Sequence, residues 1–68
     1  MDTQRARKQI YKQAKRLKEA YNLPTDSNVY IHWNGNEPVV LPTRTPGYGI
    51  CTTIKLHKIL DRQCILVL

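Results

Sequence analysis

Phenylalanine is absent from this 68-residue chain, acidic residues number five, and the longest apolar run, Cys64 to Leu68, is five residues. Each shortage excludes something. Without Phe, the aromatic pattern that marks the common RNA-recognition sheet is missing. Five scattered acids offer no paired carboxylates, and no Ser/His/Asp set or nucleophile elbow accompanies them. An acid–base pair drawn from His32 with Glu37 or Asp26, or a small basic ribonuclease using His32, Tyr30 and Arg44, is demanded by no spacing, so no enzyme is expected. A five-residue apolar run cannot span a bilayer, and no membrane partner is expected.

Cysteine is scarce too. Cys51 and Cys64 are too few for a secreted disulfide framework, and charge persists from Arg5 to Glu19 where a signal peptide would need an apolar stretch. A cytoplasmic location with reduced thiols follows as the expectation. His32, Cys51, His57 and Cys64 have the residue types of a zinc site. Zinc motifs, however, place two ligands two to four residues apart so that one turn supplies both, whereas Cys51 and His57 are six apart and His57 and Cys64 seven. Small buried thiols, and a solvated His57, are the expected roles, with no metal or other cofactor. No repeat or low-complexity segment divides the chain, so residues 1–68 read as a single small domain, of a size that buries only about 60% of its unfolded surface.

What the chain does have is positive charge in one place. Arg5, Arg7, Lys8, Lys12, Lys15, Arg16 and Lys18 are seven of the 11 basic residues, and only Asp2 and Glu19 oppose them, so residues 1–22 carry +5 of the formal +6. At ~100° per residue, Ala6, Ile10, Ala14, Leu17 and Tyr21 fall within an arc of roughly 80°, the signature of a helix with one buried stripe. Arg5, Lys8, Lys12, Lys15 and Arg16 share an opposite arc of about 100°, with Arg7 and Lys18 flanking the stripe. Asp2 or Thr3 would cap the start. Asn22, able to adopt a left-handed conformation, and Pro24 mark the stop.

After Pro24 the period changes. Val29, Ile31 and Trp33 alternate with Tyr30 and His32, as in a half-buried strand, with Trp33 and Tyr21 assigned to the core. Asn34-Gly35 signals a hairpin, and Pro38 to Leu41 is the return strand, placed at a sheet edge because Pro38 lacks an N–H. Thr43 to Gly49 reads as a loop. The next segment is ambiguous. Ile50, Thr52, Ile54 and Leu56 alternate as a strand would. Leu56, Ile59, Leu60 and Cys64 cluster on one face of a helix capped by Thr52 or Thr53, which is the preferred reading. If that helix starts there, its free amides, with Gly47, Gly49 and Arg44, would form an anion site, although glycines in a tight turn are the commoner explanation. Cys64 to Leu68 is apolar on both faces, suiting a covered central strand or one buried across the seam of a homodimer. The expected fold is α+β: an N-terminal amphipathic basic helix on a small antiparallel or mixed three-stranded sheet, with a short second helix.

A concentrated cationic ridge attracts phosphate-rich polymers or acidic protein faces. The leading expectation is a small nucleic-acid-binding module in which Arg5, Lys8, Lys12, Lys15 and Arg16 contact phosphates, with Arg44 and Lys55 as secondary contacts. No Asn or Gln is obviously placed to read bases, so backbone contact is favoured over sequence readout, with DNA and RNA both open. The alternative is a protein-interaction module, an inhibitor or modulator that docks its basic helix on an acidic surface, with Tyr11 as its apolar anchor. Met1-Asp2-Thr3-Gln4, with Ala20 and Asn22, faintly resembles the arginine-rich RNA-hairpin-binding peptides that begin lambdoid phage antiterminators. The likeness covers a third of the chain, assigns no family, and departs where Ile10 and Leu17 supply an apolar face. It keeps RNA among the expected partners, and a compact basic reading frame of this kind suits a phage or mobile element.

Overall fold

A computed structural model describes residues 3–62. The chain forms helix α1 (Thr3–Tyr21), strands β1 (Asn28–Asn34) and β2 (Glu37–Leu41), a 3-10 turn at Pro46–Tyr48, strand β3 (Thr52–Lys55) and the short helix α2 (Leu56–Leu60). Among the described residues the strands are antiparallel in the order β2-β1-β3, so the first strand lies between the two later ones. Both helices bury their apolar sides against one face of this sheet: Ile10 and Ala14 of α1 meet Val29, Ile31 and Val40 of the sheet and Leu56 and Ile59 of α2. This is the small α+β architecture that the charge and hydropathy patterns imply.

The core is small and apolar. Ile10, Val29, Leu56 and Ile59 are fully buried, and no polar or charged residue is buried among the described residues. Each such apolar side chain contributes roughly 1.5–3 kcal/mol by leaving water. Trp33, Leu17, Leu23, Ile54 and Leu60 pack around them, half-buried.

Local chemistry explains the boundaries. Asn22 stands at φ 54, and the Leu23 N–H donates to the Lys18 carbonyl at 3.1 Å, the bond that closes a Schellman turn after α1. That turn delivers Leu23 to the core and leaves Tyr21, expected inside, 61% exposed. The correction has a simple cause: the stripe is periodic up to Tyr21, but the helix ends there and the next apolar residue takes the seat.

The hairpin also differs in detail. Asn34 pairs with Glu37, so the two turn residues are Gly35 and Asn36 rather than Asn34 and Gly35. Gly35 alone of the two has a positive φ, 65°, which places glycine at the first central position, as a type II′ turn requires.

Residues 52–62 divide between the two readings. Thr52–Lys55 is a strand whose β-branched residues pair with Ile31, Tyr30 and Val29, and the helix begins only at Leu56. Neither Thr52 nor Thr53 is its cap. Lys55 occupies that position with no capping bond from its side chain, and the backbone of the turn before β1 caps instead: the Leu56 N–H donates to Ser27 O and the His57 N–H to Thr25 O, both at 2.8 Å. Because no helix starts at Thr52, the anion site expected from helix amides beside Gly47 and Gly49 does not form. The third strand of the sheet is therefore β3; the strand expected over Cys64 to Leu68, and the homodimer seam with it, lie outside the described residues.

The edge at β2 is closed by a side chain. Gln13 of α1 donates from Nε2 to the Pro38 carbonyl and accepts the Val40 N–H on Oε1, each at 2.9 Å. One carboxamide thus occupies the hydrogen-bonding positions that a neighbouring strand would use.

Candidate functional site

Helix α1 buries Ala6, Ile10 and Ala14 and turns Arg5, Lys8, Lys12, Lys15 and Arg16 to solvent. The ridge is a consequence of the stripe: once the apolar side is docked, residues half a turn away have nowhere else to point. Lys8, Lys12 and Lys15 follow one another at intervals of about one turn, roughly 5 Å along the axis. Arg5 and Arg7 lie near the N-terminal, positive end of the helix dipole.

Along this helix runs a cleft of about 650 Å³. Its cations are Arg5, Arg7, Lys8, Lys12, Lys15 and Arg62, and no Asp or Glu among the described residues lines it. Arg62 comes from beyond α2, where its φ of 59° ends the helix in a left-handed residue, and its guanidinium carbon lies 4.5 Å from the centroid of the Tyr11 ring. Gln4 and Gln9 also line it.

Four of these residues escape a reading of the sequence. Helical periodicity makes Arg7 only a flank of the stripe, Arg62 falls on the polar face of another helix, and no spacing marks Gln4 and Gln9 as readers of bases. Arg62 is 51 residues from Tyr11 in sequence, and no local pattern announces a contact made by tertiary packing. Gln4 and Gln9 are legible in principle from their helical angles beside Lys8 and Lys12.

The remaining expected contacts lie elsewhere. Arg16 is exposed on α1 outside the cleft wall, and Arg44 is exposed on the loop after β2. Lys55 donates from Nζ to the Asp26 carbonyl at 3.0 Å, which holds its ammonium at the turn before β1. The opposite face of the sheet carries Tyr30 and His32, with the His32 ring edge-on to Tyr48 at 5.1 Å and its Nδ1 buried without a hydrogen-bond partner among the described residues. Ile50, on the loop that follows Tyr48, is 96% exposed.

Cys51 is buried with a free thiol. Among the described residues no three His, Cys, Asp or Glu side chains gather in a metal-binding group, and no helix is long and apolar enough to cross a membrane. Comparison with known proteins finds nothing similar: no protein family, no curated protein and no solved structure matches the chain.

Proposed function

We propose that the chain is a small nucleic-acid-binding module that holds the phosphate backbone along α1 through Arg5, Lys8, Lys12, Lys15 and Arg16, with Arg7 and Arg62 added from the cleft. The observation that carries this reading is the gathering of six cations around one cleft, with no carboxylate from the described residues on its wall. Such a surface concentrates polyanions by releasing their condensed counterions. The competing reading, a docking site for an acidic protein, needs an apolar anchor. Its anchor would be Tyr11, a single ring among six cations, a lining that favours a phosphate-rich ligand over an apolar side chain.

The test is fluorescence polarisation with mixed-sequence RNA and DNA at two salt concentrations. Neutralising about five phosphates predicts affinity falling by roughly 100- to 500-fold between about 50 and 200 mM salt. Failure to retain either polymer at the lower salt abandons the reading and leaves the protein-docking module.

A further inference from the structure

We infer that the cleft beside Tyr11 takes an unpaired nucleotide, so that the chain prefers single-stranded nucleic acid to duplex; this inference rests on the function proposed above. Four observations converge on it. The first is size: about 650 Å³ lies within the range of sites that enclose a small ligand, whereas a duplex backbone needs only a convex ridge. The second is the ring. The Arg62 guanidinium, a flat cation, lies over the Tyr11 ring at 4.5 Å, and both side chains line the cleft, so a ligand reaches that ring face by taking the guanidinium's place. A nucleobase is also flat and fits the same face, and stacking of this kind accepts any base.

The third is the chemistry around the ring. Lys8, Lys12 and Lys15 supply charge for phosphates on either side of a stacked base, while the amide of Gln4, on the same face of the helix as Tyr11 and with both donors and an acceptor, matches a base edge. The fourth is the backbone of Arg62. An arginine in the left-handed region is strained where glycine would not be, and strain of that kind is retained where the side chain serves a purpose. An incoming base displaces the guanidinium from the ring and frees it to form two parallel bonds to a phosphate. Bases in a duplex are stacked on one another and cannot enter without the free-energy cost of leaving the stack, so the cleft discriminates by strandedness.

The probes are 12-residue single-stranded RNA and DNA oligonucleotides carrying a central 2-aminopurine, each with its duplex counterpart, titrated at one low salt concentration. The wild-type chain is expected to bind the single strands about tenfold or more tightly than the duplexes and to quench the 2-aminopurine on binding. Tyr11→Phe keeps the ring and should keep both signals; Tyr11→Leu keeps apolar bulk beside the stripe and should lose about tenfold on single strands and nothing on duplexes. Preference for the RNA strand over the DNA strand would assign part of the recognition to the 2′-hydroxyl, within the same proposal. Equal affinity for single strand and duplex, or binding without quenching by the wild-type chain, overturns the inference while leaving the backbone-binding function standing. Absence of binding to all four probes removes both.

Discussion

The Val40 N–H donates to the side-chain oxygen of Gln13 at 2.9 Å, across 27 residues of sequence. Through this bond, and its companion to Pro38, the basic helix is fastened to the outer edge of the sheet as well as to its face. Gln13→Met keeps the length of the side chain and removes both bonds. The expected cost is about 1–2 kcal/mol, from an edge amide left without its partner. Thermal unfolding should show it as a fall of roughly 4–8 °C per kcal/mol. The variant should also self-associate more readily, because an uncovered edge templates another strand. An unchanged midpoint would mean that water replaces the carboxamide without loss.

The turn makes a prediction that separates neighbouring residues. No heavy atom would lie within 4 Å of a Cβ added at Gly35, so the cost of Gly35→Ala is conformational alone, about 1–2 kcal/mol for an L-residue at φ 65. Asn36→Ala should cost a few tenths at most. Denaturant titrations of the two variants would expose an error in the turn assignment if their order were reversed.

The core tolerates little. Ile59 is fully buried on a five-residue helix and joins α2 to α1 and the sheet. Ile59→Ala should cost about 2–5 kcal/mol. In a domain of this size that is a large share of the total, and the variant is expected to be largely unfolded by circular dichroism at room temperature.

Reversing charge on the ridge should separate binding from folding. Lys8, Lys12 and Lys15 are exposed, so the triple change to Glu leaves the buried stripe intact. Helical circular dichroism should persist while nucleic-acid affinity falls by at least about 100-fold, because three attractions to phosphate become three repulsions. Undiminished affinity with the fold retained would move the binding surface off α1, with the loop at Arg44 the next place to test.

Arg62→Gly sets strain against function at one position. Glycine relieves the left-handed backbone at φ 59 but gives up the contact with Tyr11, worth about 0.5–1 kcal/mol at an exposed site. Stability should therefore change by less than about 1 kcal/mol in either direction, while affinity for a polyanion falls. A loss of several kcal/mol in chemical denaturation would recast Arg62 as structural.

Most of the fold is legible in the sequence because its signals are local and periodic. The stripe from Ala6 to Leu17 orients α1, and the alternation from Val29 to Trp33 identifies the inward face of β1. Residues 50–60 defeat any single-period reading because the chain changes period between Lys55 and Leu56, within one apolar pattern that satisfies both. What decides the boundary is capping by Thr25 and Ser27 carbonyls, a contact across some 30 residues that no window of sequence contains. The ridge is legible for the same reason as the stripe. The cleft is not, since Arg62 reaches Tyr11 only after α2 has docked, and Tyr21 is misplaced because the stop at Asn22 is legible but not that the turn there hands the core position to Leu23.

The turn at residues 24–27 has a further consequence. A helix of five residues has no independent existence in water, and α2 persists because that turn receives its first two amides and the core takes Leu56 and Ile59. Arg62 is in place above Tyr11 only when those contacts have formed, so one wall of the cleft is a report on the completed tertiary structure. A partly folded chain would still carry its positive helix and attract polyanions indiscriminately, whereas the shaped pocket belongs to the native state alone. Whatever occupies it therefore stabilises that state by mass action, tying ligand concentration to the fraction of chains that are whole.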